Sequence, residues 1–123
     1  MMEEAIERRK QKRFQAPPSA FVIHGPYFTS RAQIIDISMD GLAFRYPLVK
    51  KPSDDLLELD ILFARGSFYL GKVPVRIVSH GMAPKRPFDT IPMRRCGLQF
   101  GELTRHQKSQ LGYFIQNFSV GEA

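Results

Sequence analysis

The chain has little from which to build a covalent or metal-bound scaffold: of its 123 residues, Cys96 alone is a cysteine. A disulfide within the chain is thereby excluded, as is a thiolate zinc site, and a lone thiol fits a reducing compartment. Long hydrophobic runs are also lacking. No segment approaches the length of a membrane span, and the opening MMEEAIERRKQKRF has no apolar stretch of signal-peptide length. The expectation is a cytoplasmic protein without membrane insertion. Acidic residues are in the minority, 12 against 18 lysines and arginines, and the resulting net charge of +6 favours an anionic partner without naming it. The length suits one domain with a single core.

Groups for catalysis are equally sparse. His24, His80 and His106 stand singly, with none of the HxxxH or HxxE spacings that bring metal ligands onto one helix face. Ser38 has no GxSxG elbow around it, and Asp54 and Asp55 follow Pro52-Ser53 as a turn would. Cys96 falls on the apolar face of an expected strand, where a thiol is buried and inert. No glycine loop of the Walker or dinucleotide-fold kind is present. These absences predict a protein that is not an enzyme and has no metal or cofactor.

What the sequence does contain is alternation. Leu42, Phe44 and Tyr46 alternate with Ala43 and Arg45, and Leu57, Leu59, Ile61 and Phe63 alternate with Glu58 and Asp60, giving each strand one apolar face. Weaker strands are expected over 21–24 and 32–37. Across 68–78 the apolar phase is even at Phe68 and Leu70 but odd at Val73, Val75 and Ile77, so a bulge or bend is expected at Gly71. The last strand spans 95–100, with Cys96, Leu98 and Phe100 on one face. Six strands punctuated by glycine and proline predict a mainly β fold, a six-stranded antiparallel barrel whose closure removes exposed edges.

A helix follows over 104–118. Thr104 and Gln107 have capping-box spacing, and Gln107, Leu111, Phe114, Ile115 and Phe118 form one stripe suited to plug an open side or end of the barrel. Residues 1–14 read as a flexible basic arm, with Glu3, Glu4 and Glu7 ahead of Arg8, Arg9, Lys10, Lys12 and Arg13 and with Pro17-Pro18 beyond; residues 15–119 read as the barrel domain. The stretch 80–93 holds Pro84, Pro87 and Pro92 with Lys85 and Arg86, and is either a contact surface or a plain mobile loop.

Two short polar motifs remain, Arg9-Lys10-Gln11-Lys12-Arg13 and Asp36-Ile37-Ser38-Met39-Asp40-Gly41. An arginine fork can bind phosphate oxygens or the O6 and N7 edge of guanine bidentately, which lysine cannot. The N1 and N2 donors of guanine ask for an acceptor such as Asp36, assisted by Ser38, while Gly41 permits a tight turn before Leu42. Either motif alone is as well explained by a solvated basic tail or an ordinary Asx or Ser turn. Their order and combination favour an anion site for guanine.

With these residues in place the chain resembles the PilZ domain family. The family pattern RxxxR followed by D/NxSxxG is met by Arg9 and Arg13, then Asp36, Ser38 and Gly41, and Cys96-Gly97-Leu98-Gln99-Phe100 before a helix is similar to the family's closing strand and terminal helix. The resemblance implies binding of cyclic di-GMP: Arg9 and Arg13 clamp the ligand, Asp36 and Ser38 hydrogen-bond a guanine, Gly41 shapes the turn, and Arg8 is an additional ligand contact suited to a stacked ligand pair. It further implies a second-messenger receptor whose arm is ordered by the ligand and which signals to a protein partner in motility, pilus or exopolysaccharide machinery. Two other readings stand beside it. One is a basic nucleic-acid-binding barrel using the arm with Lys50, Lys51, Lys85, Arg86, Arg94 and Arg95; most aromatics fall on core faces, so no DNA partner is expected. The other is a PilZ-like interaction module that binds no ligand.

Overall fold

The computed structural model describes residues 11–24, 30–48 and 56–123. The described residues form eight strands in this order: β1 (Phe14–Gln15), β2 (Ala20–His24), β3 (Ser30–Ile37), β4 (Gly41–Pro47), β5 (Glu58–Phe63), β6 (Phe68–Met82), β7 (Met93–Phe100) and, after helix α1 (Arg105–Phe118), β8 (Gly121–Glu122). All pairings are antiparallel. The order β2-β5-β6-β7-β4-β3 closes through a β2–β3 pairing, so six strands form the expected barrel, and β1 and β8 are added outside β3. Closure leaves none of the six with a free edge along its whole length.

The inward rows carry the core. Ile37 pairs with Leu42, Leu42 with Leu98 and Leu98 with Ile77, while Ile34, Phe44 and Cys96 form the next row; all but Ile77 are buried. Ile34 and Ile37 can both face inward because the register slips at Ile35, where β3 has one more residue than β4. The phase switch in β6 has the same cause. Leu59 pairs with Val73 but Ile61 with Leu70, so Gly71 and Lys72 lie opposite Asp60. The bulge falls where the sequence places it, yet Lys72, with φ 55°, takes the left-handed conformation. The Asp60 carboxylate explains this, accepting the Lys72 N–H at 2.9 Å and the hydroxyl of Tyr69. That hydrogen bond raises the Tyr69 pKa, because ionising the phenol would put two anions together.

Helix α1 begins as its capping box requires. Gln107 N–H donates to Thr104 Oγ1 at 3.0 Å, and Thr104 N–H donates to Gln107 Oε1 at 2.9 Å. Buried Gln107 also donates through Nε2 to the carbonyls of Gly71 and Lys72, tying the helix to the bulge. Further along, Phe114 and Phe118 pack with Phe63 and Phe68 from the β5–β6 connection, with the Phe63–Phe118 and Phe68–Phe114 ring centroids each 5.0 Å apart. The expected stripe therefore covers one end of the barrel. Thr104→Ala should lower stability by about 1 kcal/mol and the melting temperature by several degrees, measured by thermal unfolding.

The largest differences from the sequence expectation lie in β6, β4 and the short strands β1 and β8. Strand β6 continues to Met82, which shortens the expected 80–93 loop to residues 83–92. Strand β4 is buried from Gly41 to Tyr46 without alternation, because its outer face is covered as well as its inner one. Phe14, assigned to the arm, belongs to β1, which pairs with both β3 and the C-terminal β8.

Candidate functional site

The outer face of the barrel holds a row of small and polar residues in register: Gln15 beside Asp36, Asp36 beside Ala43, Ala43 beside Gly97, and Gly97 beside Ser79. The low floor at Ala43 and Gly97 lets long side chains lie flat on the sheet. Arg95, in the neighbouring row opposite Arg45, does so: its Nη1 stands 3.6 Å from where a Gly97 Cβ would be, and its Nη2 donates to Asp36 Oδ2 at 3.4 Å. From the other side Arg13 Nη1 donates to Asp36 Oδ1 at 2.8 Å. One carboxylate, 11% exposed, thus sits between two guanidinium groups that are 17% and 27% exposed. Three charges sum to +1, and Arg76, hydrogen-bonded to Gln99 Oε1, adds a further cation to this face without an ion pair among the described residues.

Arg13 reaches this position through backbone pairing at both edges of β1. Gln15 is in register with Asp36, the Val120 N–H donates to the Gln15 carbonyl, and the Ala123 N–H donates to the Arg13 carbonyl, the last two at 2.9 Å. The C-terminal strand therefore fastens the residue that carries the first motif's second arginine. Removing residues 120–123 should leave β1 held by β3 alone, loosen Arg13 and weaken binding of an anionic ligand about tenfold, as read by titration calorimetry, with little change in melting temperature because β8 is exposed.

The second motif forms the β3–β4 connection. Met39 and Asp40 make the turn, closed by the Ser38 N–H donating to the Gly41 carbonyl at 2.8 Å. Ser38 is fully buried; its hydroxyl donates to Asp40 Oδ1 at 2.6 Å and accepts the Asp40 N–H at 3.2 Å. Its hydroxyl thus braces the turn that links Asp36 to Gly41. Gly41 is dictated by proximity: a Cβ would collide with the Leu98 carbonyl oxygen and stand 3.3 Å from Gln99 Cα. Asp40 adds to this seam by accepting the Phe100 N–H at 2.9 Å.

Of the residues singled out in the sequence, Arg13, Asp36, Ser38 and Gly41 come together here, whereas Arg8 and Arg9 lie outside the described residues. Nothing in the sequence near Arg95 marks it as part of this site; its position over Asp36 depends on the β4–β7 register. Chemically the arrangement can hold an anion between arginine forks and offer one carboxylate acceptor to a donor edge. Among the described residues no group of three or more His, Cys, Asp or Glu could hold a metal ion, and no helix is long and apolar enough to cross a membrane.

Buried Arg45, beside Arg95 in register, serves another purpose. It donates bidentately to Asp89, at 2.7 and 3.1 Å, and to the Pro84 carbonyl, covering the outer face of β4 with residues 83–92. This hydrogen bond, helped by the Arg86 N–H, holds the Asp89 carboxyl below its usual range. A depressed carboxylate pKa stabilises the fold above the unfolded value near ~4 and loses that contribution as pH falls through the folded value. Urea unfolding should therefore show wild type more stable than Asp89→Asn at pH 6, with the difference narrowing only at more acid pH.

Comparison with known proteins places this geometry in context. A family model described as PilZ domain matches residues 7–117. No curated protein matches the sequence. Among solved structures, the PilZ domain of YcgR from Escherichia coli with c-di-GMP is similar at TM-score 0.67 and 17% identity, covering 90% of this chain and 91% of that one. YcgR from Escherichia coli in complex with c-di-GMP aligns at TM-score 0.65 and 18% identity over 89% of this chain and 45% of that one. The K. pneumonia MrkH complex with c-di-GMP aligns at TM-score 0.67 and 16% identity over 89% and 52%. The chain thus spans about half the length of YcgR and MrkH. At these identities the likeness is one of fold.

Proposed function

The chain belongs to the PilZ domain family, and from that premise we propose that it is a cyclic di-GMP receptor whose site lies on the outer barrel face around Asp36. The observation that carries this reading is the meeting of the two motifs: Arg13, from just before β1, stands 2.8 Å from Asp36 at the end of β3. Arg9 and Arg13 clamp the ligand's phosphates and a guanine edge, Asp36 accepts from guanine N1–H and N2–H, and Ser38 and Gly41 hold the turn that presents it. Arg8 adds a contact that admits a second, stacked ligand molecule. The solved structures of YcgR and MrkH with c-di-GMP, which share this fold, support the ligand class.

In this reading the residues ahead of Arg13 act as an arm, and the barrel, with β1 already paired on it, receives that arm in a cytoplasmic protein. Ligand binding orders the arm, and the new surface signals to a protein partner; nothing is turned over. Asp36→Ala tests the guanine assignment. Competition titrations should show cyclic di-AMP displacing cyclic di-GMP from the variant at a smaller excess than from wild type. An unchanged preference would remove Asp36 from base recognition. Salt separates this ligand from a polynucleotide, since two phosphates give only a shallow log–log dependence of affinity on salt.

A further inference from the structure

Residues 83–92 are fastened from beneath and apolar above. Below, the Arg45 fork grips Asp89 and the Pro84 carbonyl, and Arg86 Nη1 donates to Gln33 Oε1 on β3. Above, Met82, 76% exposed, and Ile91, 49% exposed, line a groove of about 340 Å³ that runs from Met82 to Met93, and Phe88, 94% exposed, immediately precedes Asp89 of that lining. A side chain as apolar as phenylalanine, held out on an anchored loop, is a feature that a partner can cover.

The charge around the groove indicates what kind of partner fits. Its acid, Asp89, is committed to Arg45. Exposed Lys85 lines it and Arg94 adjoins it; neither forms an ion pair among the described residues. Arg94 Nε is buried without a hydrogen-bond partner, and its Nη1 meets the sulfur of Met82 at 3.8 Å. An apolar groove flanked by two uncompensated cations suits carboxylates that flank an apolar anchor. A second copy of the chain suits it poorly, because the net charge is +6 and pairing would set the same cations against each other.

We propose that this groove docks a short acidic, amphipathic segment of a partner protein, with an aromatic or aliphatic anchor against Phe88 and Ile91 and carboxylates on Lys85 and Arg94. The proposal does not depend on nucleotide binding. A selection from phage-displayed random peptides on the full chain, without nucleotide, tests it. Enriched peptides should combine acidic residues with an apolar anchor, and a synthetic copy should bind wild type at least about tenfold more tightly than Phe88→Ser or Lys85→Glu. Since Phe88 projects into solvent, Phe88→Ser should melt with wild type. No enrichment, enrichment without acidic bias, or equal binding to Phe88→Ser would overturn the proposal. So would concentration-dependent dimerisation in sedimentation that Phe88→Ser abolishes, which would assign the groove to a second copy.

Discussion

Arg13→Ala should weaken cyclic di-GMP binding by about a hundredfold or more while leaving the melting temperature within a few degrees of wild type. A bidentate charge-assisted contact to phosphate or guanine contributes several times what a neutral hydrogen bond does, and a loss of about 3 kcal/mol is already more than a hundredfold in affinity. The fold does not need this side chain in the same way. Asp36 keeps Arg95 as a partner, and β1 is held by backbone groups that Ala retains. Arg13→Lys should recover the charge but little of the affinity, because an ammonium cannot form the planar fork. Calorimetry of the three proteins in parallel checks both parts, and an Arg13→Ala variant that binds like wild type would remove the arginine from the site.

The second large effect is on stability. Gly41→Val should destabilise the protein by on the order of 3 kcal/mol or more, measured by urea unfolding, and can prevent folding altogether. Even a single Cβ at this position collides with the Leu98 carbonyl, and Gly41 is in register with Gln99, so the obstacle is backbone in a closed barrel and cannot swing aside. The intact seam also carries the Ser38–Gly41 closure and the Phe100–Asp40 hydrogen bond. Gly41→Ala therefore reports the collision with the smallest change. A variant as stable as wild type would mean that β4 and β7 separate more easily than this packing implies.

These two residues also mark what the sequence made legible. Gly41 was marked by its motif, but its reason is the approach of β7, a contact between segments far apart in sequence. The inner faces of β4, β5 and β7 were legible because large apolar side chains recur there with period two, and the β6 bulge was legible because a bulge shifts that period. Strands β1 and β8 have two residues each, too few to carry any period, and they exist through pairing with β3 and with each other. Arg45 alternates as an outward polar residue should, yet it is buried, because Asp89, 44 positions later, returns to cover it. Arg95 was hidden for the same reason: only the pairing of β7 with β4, and β4 with β3, places its guanidinium over Asp36.

The central claim is that Arg13 and Asp36 mark a cyclic di-GMP site, and direct titration of the full chain with cyclic di-GMP by calorimetry tests it most directly. The account predicts saturable binding in the micromolar range or tighter, lost in Arg13→Ala. Wild-type protein showing no binding at about 100 μM ligand would contradict it.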